Sequence, residues 1–172
     1  MIYPELRFFP PVVSFLSDDT NKFPTSIGLL ANGVAYQWNI IPQKSWHQEG
    51  YKLSESNHFS LQFLTYTGVS PEDIVKYFCR LTFEYNVVYS LDAEESVEYF
   101  KALNFDEMSA DTKIGVSNIT SLLDNYSEVS FSQEVIDNIK RHKLNTNHTV
   151  DRCVALALSI KHLHQNSTNL IF

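Results

Sequence analysis

The stretch Val12–Leu30, VVSFLSDDTNKFPTSIGLL, running into Ala31-Asn32-Gly33, decides how the rest of the chain is read. Val12–Leu16 is a short apolar run entered from Pro10-Pro11, and the residue before a proline is pushed to extended backbone. It suits a central strand. Ser17 to Lys22 is a polar loop, and Ser26–Leu30 makes a second strand. Asn32-Gly33 is the dipeptide that a type I′ hairpin turn favours, because both central residues need positive φ. Val34–Ile41 then returns as a third strand, with Val34, Tyr36, Trp38 and Ile40 on one face and Ala35, Gln37 and Asn39 on the other. Alternation of that kind implies one packed face.

Downstream, Pro42–Ser60 is irregular and holds Trp46, His47, His58 and several acids, which makes it a candidate binding loop. Ser70-Pro71-Glu72-Asp73 is a helix start: a capping serine, proline at the first helical position, acids in the first turn. Ile74, Val75, Phe78 and Leu81 follow on one side at helical spacing. Asn86–Ser90 reads as a strand buried on both faces, and a helix runs from about Ala93 to Leu103. Residues 104–113 connect, a short helix is expected over Ser117–Asn125, and another over Ser132–His142 with Ser132 as its cap. The closing helix, about Val150–Leu163, carries a wide apolar stripe from Val150 and Cys153 to Ile160 and Leu163. Three strands, a helix, a strand and then helices specify an α/β domain with a mixed sheet. Strands 1–3 form an antiparallel meander, the fourth joins by a helical crossover, and residues 1–172 make one domain.

Composition narrows the function. The chain is 44% hydrophobic with twelve Phe, nine Tyr and two Trp, enough to build a full core at 172 residues. Its formal charge is −7 and no Lys/Arg-rich run appears, so strong sequence-independent binding to nucleic acid is disfavoured. Cys79 and Cys153 sit in apolar helical patterns and read as small buried hydrophobes in a reducing compartment. Acid and proline interrupt the N-terminal MIYPELRFFPPVV, unlike a signal peptide, and no run approaches the roughly 18 apolar residues of a membrane span. The expectation is a cytoplasmic protein without membrane attachment.

Several words in the chain, in this order, resemble the DEDD-type 3′–5′ exonucleases of the ribonuclease H-like fold. Phe23-Pro24-Thr25-Ser26-Ile27-Gly28 is similar to that family's second strand, and Tyr36-Gln37-Trp38-Asn39-Ile40-Ile41-Pro42 to its third. Gly68-Val69-Ser70-Pro71 resembles the loop before its helix. Val88-Tyr89-Ser90, with Ser96, Tyr99, Phe100 and Leu103 after it, resembles the middle motif. Thr146 to Asp151, with Cys153, Ala155 and Leu156, resembles the head of the last helix. The resemblance covers nearly the whole chain and implies the ribonuclease H-like fold, with homodimers common among relatives.

The family's chemistry needs two divalent ions, Mg²⁺ or Mn²⁺, held by carboxylates around a phosphodiester, with a histidine as general base. Carried over residue by residue, the paired acids of the first strand fall on Ser14 and Leu16, the middle acid on Ser96 and the base on Thr146. Only Asp151 stands where the family has a carboxylate. The resemblance therefore implies a catalytically inactive, pseudo-nuclease domain that acts in binding or regulation. No metal or other cofactor is expected, and the expected partners are single-stranded nucleic acid held weakly, a second copy or another protein. One alternative is a divergent active 3′–5′ exonuclease, Mg- or Mn-dependent, using Asp18 or Asp19, Asp92, Asp151 and His148. A second is a protein-only scaffold with the old cleft filled by side chains such as Leu16.

Each candidate also has a plain structural role. Asp151 suits the first turn of a helix, as do Asp92, Glu94 and Glu95, and Asp18 and Asp19 suit a turn. Phe8, Phe9, Phe59, Phe63, Tyr66, Tyr77, Phe78 and Phe83 lack interleaved cations and read as core rather than base-stacking platforms. Ser14 has neither elbow glycines nor a base, so a nucleophilic role is discarded.

Overall fold

The first strand, β1 (Val12–Ser17), lies at the centre of a five-stranded sheet in a computed structural model that describes residues 1–17, 23–48, 61–105, 114–123 and 127–168. β2 (Pro24–Ala31) pairs antiparallel with β1, setting Ser14 opposite Gly28 and Phe15 opposite Ile27. β3 (Val34–Asn39) pairs antiparallel with β2. The turn between them has Asn32 at φ 53° and Gly33 at φ 72°, the two positive values the Asn-Gly pair accommodates. On the other side of β1, β4 (Val87–Ser90) and β5 (Gly115–Asn118) add in parallel, giving the order β3-β2-β1-β4-β5. The protein is thus α/β with a mixed sheet and flanking helices.

Each sheet face has its own core. On one, Val13, Phe15, Ile27 and Leu29 meet Ile74, Val75 and Phe78 of α3 (Pro71–Thr82) and Tyr99 and Phe100 of α4 (Ala93–Ala102). Trp46 of α1 (Lys44–Gln48) stacks on Phe23 at the end of this cluster. On the opposite face, Val12, Leu30 and Ala35 meet Cys153, Ala157 and Ile160 of the last helix, α6 (Thr149–Thr168). α5 (Glu128–His142) lies against α6 and contributes Phe131 to that cluster. A short helix, α2 (Leu61–Thr67), precedes α3, and its Leu64 is buried.

α6 starts almost on top of β2. A Cβ built on Gly28 would lie 2.5 Å from the Thr149 carbonyl carbon and 2.7 Å from the Val150 nitrogen. Only glycine allows this approach. Beside it, Ser26 Oγ and Thr149 Oγ1 share a buried 3.2 Å hydrogen bond. From Cys153 to Ile160 every residue of α6 is buried, because the sheet covers one side and α5 the other.

The structure corrects several expectations. The short helix expected over Ser117–Asn125 is in part strand: Ser117 and Asn118 end β5, a 3₁₀ helix covers Ile119–Leu122, and residues 124–125 lie outside the described residues. The cap of α5 is Ser127, whose Oγ accepts from the Ser130 backbone N–H, one turn before Ser132. Pro42–Ser60 contains α1, and residues 49–60, with His58, lie outside the described residues. β4 does pack on both faces, with Val88 in one cluster and Tyr89 against the other, though Val87 and Tyr89 are only partly buried. β3 packs on both faces, since Ala35 joins one cluster while Tyr36 and Trp38 pack against the other. Of the aromatics read as core, Phe78 is buried, but Phe8, Phe63, Tyr66, Tyr77 and Phe83 are exposed because they fall on the outward sides of their segments. Phe59 lies outside the described residues. Cys153 is buried and Cys79 partly so. Among the described residues no helix is long and apolar enough to cross a membrane.

Candidate functional site

In open α/β sheets, ligands collect beyond the carboxyl ends of the strands, where neighbouring connections leave to opposite sides. β1 and β4 form such a pair here, and beside them lies a cavity of about 350 Å³. Its floor holds Ser14, Phe15, Ser90 and Ser96. Asp92, Glu95 and Tyr99 of the α4 region form one wall, Val135 and Ile139 of α5 another, and Thr146, Arg152, Ala155 and Leu156 the third. The size falls in the range of small-molecule sites.

Three of the positions singled out through the resemblance meet in this cavity. Ser14, Ser96 and Thr146 all line it. Ser96 Oγ is 2.7 Å from Ser90 Oγ, a buried hydroxyl pair that fastens α4 to the end of β4. Leu16 is not on the wall; its carbonyl accepts from Thr25 Oγ1, and the cavity stays open. Asp151 is not on the wall either. Its Oδ2 accepts from the Asn145 backbone N–H at 2.9 Å and lies 3.7 Å from His148 Nδ1, so the pair closes the loop before α6. Asp18 and Asp19 lie outside the described residues, and of His47 only the backbone, in α1, is described.

Asp92 caps α4 by accepting from the Glu95 backbone N–H at 2.9 Å, the structural role expected of an acid at that position. The Tyr99 hydroxyl stands 2.7 Å from Glu95 Oε1 and 2.6 Å from Ser17 Oγ. Having one proton, it donates to the carboxylate and accepts from the serine. Burial pushes its pKa up to about 12, with Ser17 pulling it down and Glu95 adding to the rise.

Arg152 is the residue the sequence reading missed. Its Nε donates to the Thr146 carbonyl at 2.6 Å and its Nη1 to the Phe15 carbonyl at 3.4 Å, so the guanidinium spans from α6 to β1. It makes no ion pair within 4 Å among the described residues. Burial lowers its pKa from the ordinary value, with neighbouring Cys153 and Glu95 opposing the shift. The available signal was a single cation directly before the apolar run Cys153–Leu158.

This donor set does not fit a pair of divalent ions. Magnesium and manganese want several hard oxygen ligands with negative charge. The cavity offers uncharged serine hydroxyls, two carboxylates already accepting hydrogen bonds, and a fixed guanidinium that repels a cation. Among the described residues no three His, Cys, Asp or Glu side chains converge. No protein-family model matches the chain, and no curated protein is significantly similar to it in sequence.

Proposed function

We propose that the chain is a ribonuclease H-like, exonuclease-type domain that has lost the metal chemistry and works as a binding domain. The strand order, with an antiparallel β1–β2–β3 meander and parallel β4 and β5, supports the fold half of this reading. The observation that carries the functional half is the chemistry of the cavity. Serines stand at two of the positions where carboxylates would be needed, Asp151 faces its own loop, and Arg152 spans to the carbonyl of β1. The open cavity favours a binding role over a scaffold whose cleft is filled.

Titration of Mg²⁺ and Mn²⁺ into the protein, with fluorescent single-stranded RNA and DNA present, tests the proposal. The expected result is no stoichiometric metal binding and no cleavage. Metal-dependent cleavage that disappears in Asp151→Ala would overturn it and establish a rearranged exonuclease that recruits Asp18 or Asp19, Asp92 and His148.

A further inference from the structure

A cation held in a cavity by neutral carbonyls, with no carboxylate within ion-pair distance, keeps N–H donors free for a ligand. Arg152 is such a cation: Nε and Nη1 are tied to Thr146 and Phe15 carbonyls, and Nη2 has no partner among the described residues. The guanidinium is held rigid by its two bonds, which preserves its planar fork for an oxyanion. Ser14 lines the same cavity, and its hydroxyl makes no hydrogen bond among the described residues. The remaining wall is apolar, supplied by Val135, Ile139 and Leu156. Asp92 and Glu95 bring two negative charges against the one positive charge of Arg152. That balance disfavours multiply charged ligands and leaves acceptors for a ligand's hydroxyl or N–H.

We propose that the cavity binds, without any metal ion, a small organic oxyanion of low charge carrying an apolar or aromatic body. Its charged group lies on Arg152 and Ser14 and its body against the apolar side of α5 and α6. A carboxylate and a singly ionised phosphate ester share this chemistry. The inference rests on the reading of the cavity as a binding site, but not on ancestry from a nuclease.

Isothermal titration in EDTA at about pH 5, below the second phosphate pKa of about 6 so that each phosphate carries one charge, with phenylacetate, phenyl phosphate and inorganic phosphate as separate probes tests it. At least one aromatic anion is expected to bind with one-to-one stoichiometry and more tightly than inorganic phosphate. Preference for phenylacetate identifies a carboxylate ligand, and preference for phenyl phosphate identifies a phosphate ester. Arg152→Met is expected to weaken that binding at least tenfold. Val135→Trp, which fills the cavity from the half-buried face of α5, is expected to abolish it even if R152M folds poorly. Absence of binding by both aromatic probes to the folded wild type overturns the inference, as does binding unchanged in V135W. Because EDTA is present throughout, these outcomes are independent of metal-dependent cleavage, which bears only on the loss of nuclease chemistry.

Discussion

The two faces of the sheet are built from different materials. The α3–α4 face is aromatic: Phe15 packs edge-on to Phe100 at 5.1 Å, and Phe78 meets Phe100 and Phe105 at 5.1 and 5.6 Å. On the α6 face the helix presents small and aliphatic side chains, Cys153, Ala157 and Ile160, to Val12 and Leu30. Large rings hold the layers apart and bury much area per residue. Small residues let a helix backbone approach the sheet until a single hydrogen atom at Gly28 sets the distance. The aromatic face therefore carries bulk stability, whereas the α6 face carries position, and it is α6 that aims Arg152 at the end of β1.

Replacing a ring is expected to break the first face most severely. Phe78→Ala removes a fully buried side chain and should cost about 3–5 kcal/mol in urea unfolding, while amide exchange across α6 rises only as far as the global loss requires. Gly28→Ala should cost about 1–3 kcal/mol, toward the upper end because the new methyl meets backbone atoms of Thr149 and Val150. Unlike F78A, it should selectively lower protection at the start of α6 and weaken any ligand of the cavity. If both substitutions change exchange in α6 equally, the division of labour between the faces is wrong.

The smallest effect should be visible only in alkali. Tyr99 ionises near about 10 in the unfolded chain and near 12 when folded. A folded pKa raised above the unfolded one contributes stability that is present below pH 10 and lost as pH climbs toward 12. Tyr99→Phe should therefore flatten the fall in melting temperature between those limits relative to wild type. An identical alkaline profile in Y99F would show that burial does not hold the Tyr99 hydroxyl above its ordinary pKa.

The features legible in the sequence were those that local chemistry fixes. Asn32-Gly33 states its turn in two residues, and Ser70-Pro71 states a helix start that the Asp73 N–H to Ser70 Oγ bond completes. β5 was illegible because its four residues are held by hydrogen bonds from β4, a partner about 28 positions earlier in the chain. The first turn of α5 escaped because Val129 is 80% exposed, so no burial rhythm marks it. At the cavity, the positions Ser14, Ser96 and Thr146 were legible through the resemblance. What fills the space between them was not, since an arginine beside an acid at a helix start reads as surface charge until the fold turns it inward.

The 3.2 Å hydrogen bond between Ser26 and Thr149 joins residues 123 positions apart. During vectorial synthesis at about 5–20 residues per second, roughly 6–25 s pass between the emergence of β2 and that of its covering helix. For that interval Val12, Leu30 and Ala35 lack the cover that α6 gives them, so the nascent chain displays an apolar sheet surface of the sort that holding chaperones recognise. Slowing translation should increase its exposure, and supplying the last helix early, by circular permutation, should shorten it.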